Sequence, residues 1–277
     1  MIHARLLTLL LSSIATVGAI LAAMAVIALI ETAIPLHARG RWNTVHFRPN
    51  LVLTFMTFAT NACFNIAVVL TLTWFQSNGF GLLNWLALQP SPAVVLVLLV
   101  LDFSSYVTHV AMHRIPGFWR FHSVHHSDPA LDVTTTIRQH PGEGVIRYAF
   151  TTAFACALGA SPSAFGVYRV WSAVNGLLEH ANIRLPLGLD SLLSLVTTSP
   201  NMHKVHHSRL AKETNTNYGN IFSLWDRLFL TFTPARHGTS IVPGLDGCDD
   251  QATQTTTGLL ALPFRGAKAA GSTAMAT

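Results

Sequence analysis

Eight of the fourteen histidines in this 277-residue chain fall in two short stretches. Residues 102–127 read DFSSYVTHVAMHRIPGFWRFHSVHHS, and residues 201–208 read NMHKVHHS. His109 and His113 are four apart; His122, His125 and His126 sit at i, i+3 and i+4; His203, His206 and His207 repeat that spacing. On a helix, residues three and four apart share a face, so each trio aims two or three imidazoles at a common point. That is the geometry of a metal site. Imidazole is the commonest metal-binding side chain, and core packing offers no reason to prefer it at eight phased positions. A lone HxxxH would be weak evidence, but HxxHH occurring twice beside it is hard to assign to packing.

His180 falls where the chain returns to the same side, and His140 lies nearby. His109, His113, His122, His125, His126, His180, His203, His206 and His207 exceed what one tetrahedral zinc or one six-coordinate iron can hold, so two metals are the natural count. Neutral nitrogen donors suit iron, zinc, copper or nickel alike. A zinc hydrolase needs a general base such as the Glu of HExxH, and His109-Val-Ala-Met-His113 has none. A haem protein uses one or two axial histidines. A metal transporter wants ionisable residues at mid-membrane, where the clearest apolar segments have almost none before Asp102. Redox chemistry at a two-metal centre on a membrane surface is what remains. The rivals are a membrane metal-binding or transport protein and a zinc-dependent membrane hydrolase.

The membrane reading comes from composition. The chain is 51% hydrophobic with a mean hydropathy of +0.44 and only 10% charged residues, against roughly 25% charged in an ordinary soluble domain. Its net charge of +5 comes from basic residues scattered between apolar segments. That pattern marks positive loops on the cytoplasmic side and indicates no nucleic-acid partner. Cys63, Cys156 and Cys248 show neither disulfide nor metal-ligand spacing.

These segments must position the histidines. Residues 6–30 carry no charge, well beyond the about 7–15 residues of a signal peptide's apolar region, and predict a first span. The loop over 31–50 carries Arg39, Arg41 and Arg48 and should face the cytoplasm. Residues 49–101 have no Asp, Glu, Lys or Arg. They predict a second span over 51–75, an interfacial segment over 80–88 and a third span over 92–107, which delivers His109 and His113 to the side of Arg39–Arg48. Residues 145–158 and 164–178, interrupted by Arg147 and Arg169, predict two short spans or a re-entrant hairpin. Residues 187–198 are too short to span and predict an interfacial or buried helix. Ser199-Pro200 supplies an N-cap and an N1 proline just before His203. From 234 onward the Gly, Thr, Ala and Ser content predicts a largely disordered tail. His3, His37, His46 and His237 are expected at the surface or the interface.

The residues also carry a family resemblance. The chain resembles the fatty acid hydroxylase, or sterol desaturase, superfamily of integral-membrane non-haem di-iron oxygenases. The match runs from Asp102-Phe-x-x-Tyr106 through the first two histidine boxes, Arg138-x-His140-Pro-x-Glu143 and Glu179-His180-Ala-Asn182. It then takes in the third box, Asn217-Tyr-Gly219 and Leu224-Trp-Asp226-Arg-Leu-Phe229. It covers about residues 100–233 in one order and departs at Leu230, where Gly is expected. The resemblance implies two iron ions on the three boxes with His180 as a further ligand, and O2 as co-substrate. It implies hydroxylation or desaturation of a lipid C–H bond, the lipid being a sterol, a fatty acyl chain or a related molecule. Electrons would come from a separate donor of cytochrome b5, ferredoxin or reductase type.

A metal-bound histidine usually donates its other N–H to a carboxylate or carbonyl. Asp102, Glu143, Glu179 and Asp226 are the candidate partners among only twelve acidic residues, and His140 is either a ligand or a hydrogen-bonding neighbour. Tyr106, Trp119 and Trp225 are either interfacial aromatics or the lining of a substrate entrance. The expected architecture is an all-α integral-membrane bundle with a cytoplasmic histidine-lined dimetal cap. Residues 1–92 form the N-terminal transmembrane helices, 93–233 the catalytic domain and 234–277 the tail. With no evident ER-retention signal, the expected location is a bacterial inner membrane.

Overall fold

A computed structural model describes residues 2–38, 42–86 and 88–265. The uncharged runs form long helices: α1 (Ile2–Ala33), α2 (Trp42–Ser77) and α4 (Pro90–Arg114), with the short α3 (Leu82–Leu86) between the last two. Three stretches, Ala15–Ala33, His46–Leu86 and Pro90–Arg114, are long and apolar enough to cross a membrane. No β-strand forms among the described residues, only three isolated bridges.

Pro116 creates the corner on which the site depends. The residue before a proline is disfavoured in the helical region, and Ile115 is extended at φ −100°, ψ 113°, ending α4. Pro116 then occupies the first turn of α5 (Pro116–His126), where its missing N–H costs nothing. The chain folds back within a few residues, so the last turns of α4 meet the last turns of α5.

A 3₁₀ turn (Val133–Ile137) leads into a helical hairpin, α6 (Pro141–Leu158) and α7 (Pro162–His180). α6 stops at Gly159 in the left-handed conformation, φ 73°, and α7 starts from an Ser161 N-cap with Pro162 in its first turn. The hairpin crosses the bundle to the end opposite the histidines. There Gly81 and Gly159 meet backbone to backbone, and a Cβ on Gly81 would lie 2.3 Å from the Gly159 Cα. α7 then returns His180 to the histidine side. Val68, Leu72, Leu101, Leu158, Phe165 and Tyr168 form the core between α2, α4, α6 and α7.

The remainder is short: α8 (Leu187–Leu193), α9 (Pro200–His206), α10 (Ala211–Thr214), α11 (Leu224–Leu228), a 3₁₀ turn (Ala235–Thr239), α12 (Thr256–Ala261) and a final 3₁₀ turn (Leu262–Phe264). Around α8, Leu187, Leu189, Leu192, Leu193, Leu195 and Val196 are exposed, as suits a helix lying at a membrane interface.

Two expectations are corrected. The stretch from 234 to 265 is not an open tail. Leu245, Cys248, Leu259 and Leu262 pack with Trp119 and Val124 of α5 and with Leu53 of α2, and burying each large apolar side chain stabilises by roughly 1.5–3 kcal/mol. Gln254 joins the two parts, donating to the Ser127 carbonyl at 2.8 Å and accepting from Arg138 at 2.7 Å. A polar average hid the four apolar residues that matter. The remainder of the predicted tail, 266–277, lies outside the described residues, as do Arg39, Arg41 and the His3 side chain.

The second correction is His46, which is fully buried. Its Nδ1 lies 3.1 Å from Asp128 Oδ1 and its Nε2 3.4 Å from Asp132 Oδ2. Burial opposes the Asp128 charge, but His46 and Arg138 beside it hold its carboxyl well below the usual carboxylate range. Arg138 is also fully buried, donating to Val124 O, Asn50 Oδ1, Ser127 Oγ and Gln254 Oε1. This satisfied network fixes the start of α2 against the end of α5. His37 is half-buried and His237 exposed, as expected of them.

Candidate metal centre

All nine histidines converge, in two groups. His109, His113, His122, His126 and His206 form one, and His125, His180, His203 and His207 the other; within each, the ligand atoms lie within 4.8 Å of one another. Every one of the nine is buried. The two trios do not each serve one point, as spacing alone predicts. Each HxxHH box gives its i, i+4 pair to one group and its middle histidine to the other. His122 and His126 face His206, while His203 and His207 face His125.

The nitrogens themselves test the fit to a cation. His109 Nδ1 donates to the Tyr218 carbonyl at 2.8 Å, His206 Nδ1 to the Thr216 carbonyl at 2.7 Å and His180 Nδ1 to the Gly176 carbonyl at 2.8 Å. A carbonyl only accepts, so these Nδ1 atoms carry the proton and each neutral ring turns a bare Nε2 lone pair inward. Inward, His109 Nε2 lies 3.1 Å from His122 Nε2, and His180 Nε2 lies 3.1 Å from His125 Nε2 and from His203 Nε2. Lone pairs packed this closely repel unless a cation lies between them. The donor set therefore fits a metal in each group.

Burial holds His125, His126, His203, His206 and His207 well below the ordinary histidine value, with neighbouring histidines adding to the shift. They are neutral near pH 7, the form that coordinates.

The five-histidine group is oriented by one short segment, residues 214–218. Besides the Thr216 and Tyr218 carbonyls, Asn215 Oδ1 lies 3.4 Å from His113 Nδ1 and Thr214 Oγ1 lies 3.4 Å from His126 Nδ1. The Thr214 hydroxyl proton goes to the His206 carbonyl at 2.7 Å, leaving its oxygen to accept from His126. His122 is served from elsewhere, by Glu143 Oε1 at 3.1 Å from its Nδ1. In the other group, the Nδ1 atoms of His125, His203 and His207 are buried without a hydrogen-bond partner among the described residues.

The expected carboxylates divide accordingly. Glu143 touches a histidine. Glu179 lies 3.8 Å from His180 Nδ1 and 3.9 Å from His203 Nε2, and takes a 3.4 Å hydrogen bond from Asn175. Asp102 does not contact the histidines, although it shares their helix. It accepts from the Ile221 and Phe222 N–H groups and from Trp225 Nε1. Asp226 accepts from the Tyr218 and Gly219 N–H groups, so it acts on His109 only by holding the turn that carries the Tyr218 carbonyl. Gly219 is required there, because a Cβ would lie 2.7 Å from the Phe222 carbonyl and 2.8 Å from the Asp226 carboxylate. His140 belongs to neither group: its Nδ1 accepts from Gly142 N at 2.9 Å and caps α6.

Of the three aromatics, Trp119 packs on the centre, while Tyr106 and Trp225 lie further back. The Trp119 ring lies 4.9 Å from His113, the Tyr106 hydroxyl meets Thr231 at 3.0 Å, and Trp225 is held by Asp102. Two further residues had no sequence signal. Lys204 Nζ donates to the Ala181 carbonyl at 2.6 Å and so sets α9 against His180; burial pulls its amine down to about 8, against the opposing pull of Asp190 and Glu31. Glu31 Oε1, at the end of α1, accepts from both Val133 N and Asn182 N at 2.8 Å.

A cavity of about 600 Å³ opens on the histidines. His109, His125, His180 and His203 form its inner end, and side chains of α1, α2, α6 and α7 form its walls.

Fold and site define an integral-membrane helical protein with two buried histidine groups able to hold metal. Residues 94–231 match the fatty acid hydroxylase family model, and the chain belongs to that family. It is 34% identical over 146 residues to an alkylglycerol monooxygenase of Caenorhabditis elegans, covering 52% of this chain and 28% of that protein. It is 34% identical over 154 residues to the ornithine lipid hydroxylase OlsE of Rhizobium tropici, covering 56% and 46%. To a cholesterol 25-hydroxylase of Rattus norvegicus it is 25% identical over 168 residues, covering 59% and 54%. The matches thus span between about a quarter and about half of those relatives' lengths. No solved structure matches the chain significantly.

Proposed function

We propose that this chain is an O2-dependent lipid hydroxylase with two irons, one held by His109, His113, His122, His126 and His206 and the other by His125, His180, His203 and His207. The observation that carries it is the inward convergence of nine buried imidazoles at the end of a lipid-sized cavity. Iron bound there would supply reductive activation of O2 and oxidation of an unactivated C–H bond. Hydroxylation converts RH, O2, two electrons and two protons to ROH and water, so two electrons per turnover must arrive from a donor of cytochrome b5, ferredoxin or reductase type. The three relatives named above are all hydroxylases or monooxygenases, which supports hydroxylation over desaturation.

The chain's own residues do the positioning. Backbone carbonyls fix ring tautomers, Glu143 holds the Nδ1 proton of His122 and so turns its Nε2 inward, and the cavity walls exclude water while admitting an apolar chain. We assign catalysis to residues 93–233, with the helices of 1–92 as the membrane base. The histidine face is assigned to the cytoplasmic side of a bacterial inner membrane, supported by Arg48, Arg114 and Arg120 at that end.

The test is metal content per chain of anaerobically purified protein. About two irons are expected. His122→Ala and His206→Ala should each lose one, and His180→Ala and His203→Ala the other. Zinc that supports turnover without oxygen would turn the reading to a hydrolase. Metal bound without any O2 consumption in the presence of lipid and reductant would turn it to a binding or transport protein.

A further inference from the structure

Two cations interrupt the apolar hairpin, and both line the cavity. α6 carries Arg147 and α7 carries Arg169, the one Lys or Arg on each helix. Ionisable side chains in membrane helices are costly and mark functional pathways. The exposed apolar side of α7 is Val167, Val170, Trp171, Val174 and Leu178, while Arg169 turns into the cavity.

The two arginines differ in their partners. Arg147 Nε donates to Glu143 Oε1 at 2.8 Å and is committed to the carboxylate that contacts His122. Arg169 has no ion pair and no hydrogen bond among the described residues. Its guanidinium carbon sits 4.9 Å above the Tyr148 ring, and the Tyr148 hydroxyl is anchored on Asn65 Oδ1 at 2.8 Å. A cation–π contact fixes the plane of the guanidinium and leaves its N–H donors open. The other charged cavity-lining group besides the arginines and histidines is Glu179, at the histidine end. Arg169 precedes His180 by eleven residues on one helix, a separation of about 16 Å along the axis. The cavity is therefore polarised, with the oxidising centre at one end and an unsatisfied planar cation toward the other.

Resting on the lipid-hydroxylase reading, we propose that Arg169 binds an anionic group of the substrate, a carboxylate or a phosphate, and so selects an acidic lipid. The anion forms paired hydrogen bonds with the guanidinium, and the apolar chain runs from there to the histidines. A free fatty acid and a phospholipid both offer this chemistry.

The test is equilibrium binding to the full chain in neutral detergent, with radiolabelled oleate compared with oleyl alcohol, and phosphatidic acid with diacylglycerol. At least one anionic probe should bind about tenfold or more tighter than its neutral counterpart, as expected for a charge-assisted bidentate pair. Preference in the first pair identifies a carboxylate, and preference in the second a phosphate. Arg169→Gln should abolish the preference and Arg169→Lys restore part of it, with metal content and melting temperature unchanged. Equal binding of charged and neutral probes by the unaltered protein overturns the proposal without recourse to any variant. So does a preference that survives in folded Arg169→Gln. Binding is read separately from metal content: two irons with no charge preference would sink this inference alone, and a preference without iron would sink the hydroxylase reading alone.

Discussion

His109 Nδ1 donates to the carbonyl oxygen of Tyr218 at 2.8 Å, joining α4 to a turn 109 residues later. That turn is held by Asp226, which accepts from the N–H groups of Tyr218 and Gly219. Asp226→Asn leaves one oxygen where two accept and should loosen the ring through the backbone. Partners that orient ligands typically matter 10–100-fold in metal affinity, so about a tenfold loss is expected at the five-histidine group. A chelator titration that leaves both groups as tight as in the unaltered protein would contradict this.

Glu143 acts directly, through His122 Nδ1. Glu143→Gln should weaken metal at the five-histidine group by about 10–100-fold and spare the four-histidine group. Competition with a calibrated chelator, read by metal analysis, separates the two sites. Equal weakening of both would show that Glu143 supports the fold rather than His122.

The two groups should also empty at different rates. Residues 214–218 and Glu143 orient all five rings of one group, whereas three of four rings in the other have no such partner among the described residues. Chelation of loaded protein should therefore be biphasic, the four-histidine group losing its metal first. A single phase removing both would count against this.

These relationships mark the limit of what spacing conveys. The boxes, the helices that carry them and the return of His180 follow from helical periodicity, proline corners and uncharged runs. The exchange of middle histidines does not, because periodicity gives a face and says nothing of which neighbouring helix it meets. Asp102 misleads for the same reason: it shares the helix of His109, yet its carboxylate meets Ile221, Phe222 and Trp225. The orienting groups were harder still, since any residue type supplies a carbonyl such as those of Thr216 and Tyr218.

Glu31 ties the first helix to the centre with one oxygen, Oε1. Glu31→Ala leaves two buried N–H groups unpaired, at about 1–3 kcal/mol each, and should destabilise the protein by roughly 2–6 kcal/mol. Glu31→Gln keeps an acceptor and should lose less. Thermal melting in detergent distinguishes them, and equal melting of the two variants would refute the role assigned to this oxygen.

Acid should loosen the metal-free protein. Burial lowers the folded values of His125, His126, His203, His206 and His207 below the ordinary 6.5. The unfolded chain then binds more protons than the folded one, so stability is fully present above about 6.5 and falls as pH drops below it. Melting temperatures of metal-free protein between pH 7.5 and 5 check the sign; a rise on acidification would contradict it.

Leu230 stands where the sequence resemblance leads to an expectation of Gly, and its φ of 59° is left-handed. That conformation costs a non-glycine residue about 1–2 kcal/mol, more than the roughly 0.5–1 kcal/mol of entropy that glycine forfeits. Leu230→Gly should raise stability by up to about 1 kcal/mol in a chemical or thermal melt, and a lower melting point would refute the account.

The segment 214–218 carries an implication for how the protein is made. Ribosomal synthesis runs from the N-terminus, so the histidines of α4 and α5 emerge well before the residues that turn their rings inward. A nascent chain can thus hold His109, His113, His122 and His126 in the membrane without presenting a finished coordination shell. The oxidative chemistry proposed for the site would stay latent until the last third of the polypeptide has docked, and assembly itself would be the safeguard against a half-built centre.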